Sequence, residues 1–302
     1  MIERIIGTRT SNLALWQTRH IMELLAQAWP NVTCRTESFV TQGDKTLDKP
    51  LPQIGGKGLF TQELEQALLD GRIHLAVHSL KDLPVDDSPG LTLGAIVGRA
   101  DVRDVLITEY GRTLETLPKG AIVGTSSLRR QSQLRRRRPD LEVRSIRGNV
   151  ETRIRKVHDG QYDATVLAAA GVTRLGLEQH VAEWLSLETM LPAPGQGALA
   201  VQCRADDEET LRLLAAIHQQ EVAAAVTAER AFLHALGGGC ATPVAAYGVW
   251  QDGRLHLIGY VGAVNGMTMV RVHNSGEEPQ ALGRALAEEA IAEGAAEILA
   301  YV

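Results

Sequence analysis

The sequence predicts an α/β fold in three parts: two units in which strands alternate with helices, then a small α+β unit with an antiparallel sheet. Its 302 residues exceed the usual length of one domain. Short apolar runs alternate with segments of helical periodicity over most of the chain, which is typical of α/β domains. After Pro243, three strand-like runs follow one another without a helix between them.

The first unit contains apolar runs of strand length and two amphipathic patterns. Strands are predicted at residues 2–6, 32–41, 73–79 and 91–97, and helices begin near Ser11 and at the glycine-rich stretch 55–58. A charged connector at 98–104 ends this unit. The second unit is predicted to have strands at 105–108, 121–123, 141–146 and 164–167, with helices in the gaps between them.

The connector at 191–197, rich in proline and glycine, is predicted to lead back to the first unit, where residues 198–203 form a strand. Domain 1 is therefore predicted to comprise 1–98 plus 198–217, domain 2 residues 99–197 and domain 3 residues 218–302. The last part is predicted to contain helices at 208–219, 221–236 and 279–293 and strands at 244–249, 255–264 and 267–272. Two chain crossings between lobes make a hinge plausible.

Composition excludes several classes of function. A net charge of -5 argues against general affinity for nucleic acid. The cysteines Cys34, Cys203 and Cys240 are far apart, so neither a disulfide framework nor a zinc site is predicted. His74 and His78 share a face of one predicted strand but have no further ligands in the pattern, so core or hydrogen-bonding roles are predicted for them and no metal is expected. We expect a cytoplasmic monomer without a leader or a membrane span.

The stretch 123–155 has ten arginines and three acidic residues. Because an arginine offers a planar fork of donors that fits carboxylates, this local charge in an acidic chain predicts a site for several anionic groups. Arg129 and Arg130 follow a strand-to-helix turn, where free backbone N–H groups would add to the site. The run 135–138 occupies consecutive helix positions that point in different directions, and it is interpreted as solvated surface.

Other candidates lie at strand ends and on glycine loops. The turn at Ser79, Lys81 and Asp82 follows a strand and could place an acid beside a base in the site, although a capping Asp with a solvated Lys explains it equally well. Lys57 is predicted to bring one cation on a flexible glycine lid. Cys240 follows three glycines, which leaves a thiol approachable, whereas an isolated cysteine is by default a small buried hydrophobe.

Seven motifs together resemble the porphobilinogen deaminase family, also called hydroxymethylbilane synthases. In chain order they are GTRTSNLALW, GGKGLF, AVHSLKDLP, VGTSSLRRQ, RSIRGNVETR, LPAPGQGA and GGGCATP, and they extend from residue 7 to residue 243. The resemblance implies that the first two domains are like a two-lobed periplasmic binding protein of type II. It implies head-to-tail condensation of four porphobilinogen molecules with release of ammonia, and hydrolysis to the linear tetrapyrrole hydroxymethylbilane.

The resemblance also implies a dipyrromethane cofactor held by a thioether to Cys240, and Asp82 as the catalytic carboxylate at the pyrrole nitrogens. The further implied cofactor-binding residues are Ser79, Lys81, Ser127, Arg129 and Arg130. The implied residues for porphobilinogen and the growing oligopyrrole are Arg9, Ser11, Lys57, Arg147, Arg153 and Arg174. Asn12, Gln53 and Leu236 depart from residues common in the family. Asn12 concerns only the helix start, Gln53 replaces a lysine and so removes one expected cationic contact near the glycine lid, and at Leu236 an acid found nearby in some relatives is not expected.

Two other functions also fit parts of the pattern. A small-anion sensor or solute-binding module would explain the arginines but neither Cys240 nor Asp82. A nucleic-acid binder using the arginine run would require strong salt-dependent affinity for DNA, which the acidic net charge opposes.

Overall fold

The computed structural model describes residues 2–45, 58, 61–86, 88–239 and 242–301. The chain divides into two compact units: unit 1 is residues 1–47, 56–99 and 197–223, and unit 2 is residues 48–55, 100–196 and 224–302. The finer prediction of three domains stays a prediction.

The strands are numbered in chain order. They are β1 Ile2–Arg9, β2 Val32–Phe39, β3 Leu75–Ser79, β4 Leu91–Arg99, β5 Asp104–Thr108, β6 Ile122–Gly124, β7 Glu142–Arg144, β8 Ala164–Ala168, β9 Val181–Trp184, β10 Ala198–Arg204, β11 Val244–Gln251, β12 Arg254–Gly262 and β13 Met269–Gly276.

The α-helices are numbered in the same way. They are α1 Asn12–Ala28, α2 Gln42–Lys45, α3 Gln62–Leu69, α4 Leu128–Arg137, α5 Val150–His158, α6 Ala169–Arg174, α7 Glu208–Ala215, α8 Gln220–Ala235, α9 Pro279–Ala292 and α10 Ala295–Leu299. Two short 3-10 turns occupy Leu80–Asp82 and Glu178–His180.

Unit 1 is built on a five-stranded sheet of order β2-β1-β3-β10-β4. The first three strands are parallel, and β10 is antiparallel to both of its neighbours. One face packs Ile6, Val77 and Leu199 with the apolar side of α1. The other face packs α3, and it does so closely, because a Cβ on Gly7 would lie 2.9 Å from Cδ2 of Leu64 on that helix. The C-terminal ends of β1 and β3 therefore lie at one edge of a rigid sheet.

Unit 2 contains two sheets. The five-stranded sheet has the order β7-β6-β8-β5-β9, in which β6, β7 and β8 are parallel and β5 is antiparallel to β8 and β9. The three-stranded sheet β11-β12-β13 is antiparallel throughout. Glu229 on α8 is fully buried and accepts the N–H groups of Gly195 at 2.6 Å and Gly248 at 2.7 Å, which fixes this helix to the return connector and to β11.

These observations confirm the predicted α/β class with a small antiparallel third sheet, and every predicted strand is present within a few residues of its expected bounds. The strand predicted at 141–146 is shorter, Glu142–Arg144, and the carbonyl of Ser145, directly after it, accepts the Tyr162 hydroxyl at 2.7 Å. The helix predicted at 208–219 ends at Ala215. In the described part of the chain, no helix has the length and apolar character to cross a membrane.

Candidate functional site

In unit 1, five predicted site residues lie at one edge of the sheet. Because β1 and β3 are parallel neighbours, Arg9 at the end of β1 and Ser79 at the end of β3 share that edge. Ser11 follows Arg9 and caps α1, its hydroxyl accepting the Ala14 N–H at 3.3 Å. Lys81 and Asp82 follow Ser79 in the 3-10 turn. The fold thus brings these sequence-predicted residues of unit 1 together.

The residues of this turn, Ser79, Lys81 and Asp82, differ in their partners and in their exposure to solvent. Gln17, which is buried on α1, donates from its side-chain amide to the Ser79 hydroxyl at 2.8 Å. Lys81 is half-buried and Asp82 is exposed. The Asp82 carboxylate is therefore accessible to a ligand, and the nearby Ser79 hydroxyl is held in place by Gln17.

His78 precedes this turn and is buried at 6% exposure. Burial lowers the pKa of His78 to about 4, the charge of Arg9 lowers it further, and a contact with Gln202 opposes the shift. His78 is therefore neutral at physiological pH. The sequence interpretation of a core or hydrogen-bonding histidine agrees with this placement.

In unit 2, the ends of β6, β7 and β8 lie at a common edge because the three strands are parallel. Ser127 follows β6 and caps α4, accepting the Arg130 N–H at 3.5 Å. Arg147 follows β7, and Arg174 ends α6, the helix that begins directly after β8. Arg153 lies on α5, where its Nε donates to the Gly148 carbonyl at 2.8 Å. The unit therefore presents a group of cations along one sheet edge.

Arg129 and Arg130 are buried, and both pair with Asp104, the first residue of β5. The Arg129 NH2 lies 2.8 Å from Asp104 Oδ2, and the Arg130 NH2 and Nε lie 2.8 Å and 3.2 Å from its two oxygens. Arg129 also donates to the Leu191 carbonyl at 2.7 Å and Arg130 to the Val166 carbonyl at 2.9 Å. Two cations share one anion, so this group keeps one net positive charge.

Burial acts on three of these arginines. It lowers the pKa of Arg129, an effect that Asp104 opposes and that Arg130 reinforces. Burial likewise lowers the pKa of Arg147, and it lowers that of Arg174 to about 10. All of them stay protonated near neutral pH, but a partly desolvated guanidinium binds a carboxylate more strongly than one in water.

Two predicted residues, Lys57 and Cys240, lie outside the described residues. The loop that leads to Cys240 begins where α8 ends at Ala235. Gly237 has a φ of 65° and its N–H binds the His234 carbonyl at 2.9 Å, which ends the helix in the left-handed conformation that glycine favours. Among the described residues, Gly239 has no atom within 4 Å of where a Cβ would stand.

Several residues of the site were missed by sequence reasoning. Asp104 lies in the stretch interpreted only as a charged connector. Gln17 is a neutral residue of α1, and Gln196, which donates to Asp104 Oδ1 at 2.9 Å, is a neutral residue of the connector 191–197. The signal for Asp104 was an acid directly before an apolar strand. Two of the N–H groups at the start of α4 are already paired within the protein, because Ser127 Oγ accepts the Arg130 N–H at 3.5 Å and Thr125 Oγ1 accepts the Ser127 N–H at 3.2 Å.

The residues present fit a polyanionic ligand. Arg129 Nε is buried without a hydrogen-bond partner in the described chain, although it belongs to a group with excess positive charge. A buried unpaired donor in such a group favours an anion that completes it. No group of three or more His, Cys, Asp or Glu side chains in the described ranges is arranged to hold a metal ion.

Two family models match the chain. "Porphobilinogen deaminase, dipyromethane cofactor binding domain" matches residues 5–212, and "Porphobilinogen deaminase, C-terminal domain" matches residues 223–292. The porphobilinogen deaminase of Roseiflexus castenholzii is 52% identical over 98% of this chain and 98% of its own length. That of Brevibacillus brevis is 48% identical over 98% of this chain and 96% of its own length.

Among solved structures, a putative methionine-binding lipoprotein from Bacillus subtilis has a TM-score of 0.45 at 11% identity, covering 73% of this chain and 92% of that one. About half of the residues are identical to those of these two porphobilinogen deaminases, over at least 96% of the length of each. One family's models account for both the α/β part and the C-terminal part. The chain belongs to the porphobilinogen deaminase family.

Proposed function

We propose that this chain is a hydroxymethylbilane synthase, a transferase that joins four porphobilinogen molecules head to tail and releases ammonia at each condensation. Water then adds to the last unit to give the linear tetrapyrrole hydroxymethylbilane. The observation that carries the proposal is the buried pair Arg129 and Arg130, which share one carboxylate and keep a net positive charge in a member of this family. Each pyrrole unit brings two carboxylates, so such a ligand suits this charge.

The roles of individual residues follow the family's motifs. The residues proposed to hold the dipyrromethane are Cys240 through a thioether, together with Ser79, Lys81, Asp82, Ser127, Arg129 and Arg130. The residues proposed for porphobilinogen and the growing chain are Arg9, Ser11, Lys57, Arg147, Arg153 and Arg174. Guanidinium groups stay charged as carboxylates accumulate, and they bind them two hydrogen bonds at a time.

When bound, the dipyrromethane supplies a covalently held primer with a free pyrrole carbon. Asp82 is proposed to lie against pyrrole N–H groups, where its carboxylate stabilises the positive charge that develops as ammonia leaves porphobilinogen. The same carboxylate accepts the proton released when the new carbon–carbon bond has formed. Its exposure on the turn after β3 leaves it open to such a ligand.

The proposal includes a monomer that acts in the cytoplasm, with porphobilinogen and the oligopyrrole as its only partners and with neither nucleic acid nor membrane bound. The scattered cysteines and the negative net charge support these points. A sedimentation measurement that gives a dimer would correct the first of them.

Mass spectrometry of the intact protein tests the function directly. We expect a mass above that of the sequence by two pyrrole units, and a pink product with an Ehrlich-type aldehyde. Cys240→Ser should abolish both, because serine cannot form the thioether. Cys34→Ser, which changes a half-buried free cysteine of unit 1, should leave both unchanged.

The outcomes separate this function from the alternatives. A wild-type protein that turns over porphobilinogen without any added mass would refute the covalent primer. A protein with neither added mass nor turnover that binds small carboxylates would be the anion-binding module instead.

A further inference from the structure

Asp104 is the side chain around which the cationic site of unit 2 is arranged. It has no solvent exposure, and its two oxygens contact the guanidinium groups of Arg129 and Arg130 at 2.8 Å each. Arg129 and Arg130 are consecutive on α4, and consecutive helix positions diverge by about 100°. Their guanidinium groups meet because one carboxylate draws both to the same place.

The charge of this group determines what it can bind. Removing all countercharge would leave two desolvated cations side by side, which is costly, whereas a second acid would neutralise the group completely. With one acid, a single positive charge remains, and Arg129 Nε stays buried without a hydrogen-bond partner in the described residues. A group with this charge and an unused donor is suited to one carboxylate.

Gln196 fixes the orientation of the acid from another direction. Its side chain is fully buried, and its amide nitrogen donates to Asp104 Oδ1 at 2.9 Å and to the Val102 carbonyl at 2.7 Å. Gln196 lies in the connector 191–197 and Val102 in the charged connector 98–104, so the amide joins these two segments of unit 2. Asp104 is thus held by its own strand and by the connector, and its rotamer is defined before any ligand binds.

We propose that Asp104 is a positioning residue of the anion site and that Gln196 supports it. Asp104 brings Arg129 and Arg130 together and leaves them one net positive charge, which one carboxylate of the pyrrole chain neutralises. This inference rests on the proposed function, since the pyrrole chain is the ligand. It assigns a role to Asp104, which lies outside the seven motifs, and to Gln196, which lies in the motif LPAPGQGA but has no role among the predicted site residues.

The test is truncation of the acid with chemical replacement. Asp104→Ala leaves a space that formate, a free carboxylate of similar size, can fill. After incubation with porphobilinogen, we expect the fraction of protein with the two-pyrrole mass increment and the turnover both to fall at least tenfold. Sodium formate should restore both several-fold, whereas sodium chloride at equal concentration should not.

Asp140→Ala is the matched control. Asp140 also pairs with an arginine near α4, Arg138, at 2.7 Å, but belongs to no predicted site. Its increment and turnover should stay within about twofold of wild type.

Each outcome is decisive. The proposal is overturned if Asp104→Ala shows the full two-pyrrole mass increment and full turnover without formate. It is also overturned if formate restores the melting temperature of the variant but restores neither the mass increment nor the turnover. If Asp104→Ala does not fold, Gln196→Met is the second variant, because it removes only a neutral donor to Asp104. A folded Gln196→Met protein whose turnover is lowered threefold or more supports the proposal, and unchanged turnover overturns it. A wild-type protein without the increment would instead refute the proposed function, and this inference with it.

Discussion

The five-stranded sheets of the two units have the same topology but keep their acidic residues in different places. The orders β2-β1-β3-β10-β4 and β7-β6-β8-β5-β9 correspond strand for strand, and the fourth strand of each is the antiparallel one. In both, the first parallel strand of the unit leads into a helix capped by a serine, Ser11 in unit 1 and Ser127 in unit 2. The shared frame makes the differing residues informative.

In unit 1, the acid lies on the turn after the central strand, where Asp82 is exposed. The position that corresponds to Asp82 after β8 is Gly171, which is buried and neutral. Unit 2 has its acid within the sheet instead, as Asp104 on β5, where it is inaccessible to solvent and paired with two arginines. One frame therefore holds an acid open to chemistry in unit 1 and an acid that organises cations in unit 2.

The largest effect should come from removing the charge of the exposed acid. Asp82→Asn keeps the shape of the side chain but cannot accept a proton or stabilise a cation, so we expect turnover of porphobilinogen to fall roughly 100-fold or more. The far-UV circular dichroism and melting temperature should be unchanged, because an exposed carboxylate contributes little to stability.

Asp86→Asn is the control for this change, since Asp86 is an exposed acid on the same loop. It should leave turnover within about twofold of wild type. Near wild-type turnover of Asp82→Asn, in protein free of wild-type enzyme, would show that Asp82 is not the catalytic carboxylate. The contrast between a catalytic Asp82 and a positioning Asp104 would then fail.

The strand that precedes each of these turns offers a second contrast. His78 lies in β3 where the corresponding residue of β8 is Leu167, and both are buried. The pKa of His78 is about 4 in the folded protein and 6.5 for the unperturbed group. Because the folded pKa is the lower one, the stabilising contribution is complete above about pH 6.5 and is lost as the pH falls towards 4. At ~1.4 kcal/mol per pH unit, the loss amounts to about 3 kcal/mol.

His78→Leu, which makes β3 resemble β8, should remove this part of the pH dependence. Urea unfolding at several pH values between 7 and 4 measures it as the difference between the slopes of wild type and variant. His74, whose pKa burial also lowers, is unchanged in both proteins and so cancels in that difference. Equal slopes would mean that the pKa of His78 is the same in the folded and unfolded states.

The sequence predicted where the strands lie along the chain and which polar residues follow their ends, since both depend on local patterns. It did not predict that Arg129 and Arg130 meet, because Asp104 lies 25 residues before Arg129 and the contact exists only once β5 is placed beside β8. Gln17 was missed for a similar reason: a buried neutral amide on an amphipathic helix has no periodic or charge signal. The edge strand β9 was missed because its four residues, none of which is buried, do not form an apolar run.

The smallest effect tests the shared frame itself. Ser11→Ala and Ser127→Ala each remove a helix N-cap, and each should lower the free energy of unfolding by about 1 kcal/mol. Ser127 should lose less, because its bond to the Arg130 N–H is 3.5 Å against 3.3 Å for Ser11 and Ala14. Since the two caps belong to different units and share no partner, the double variant should lose the sum of the two changes. Urea unfolding of the four proteins measures this. A cap whose removal changes nothing would show that its helix is held by packing alone, and that the resemblance between the units extends to topology but not to how each helix begins.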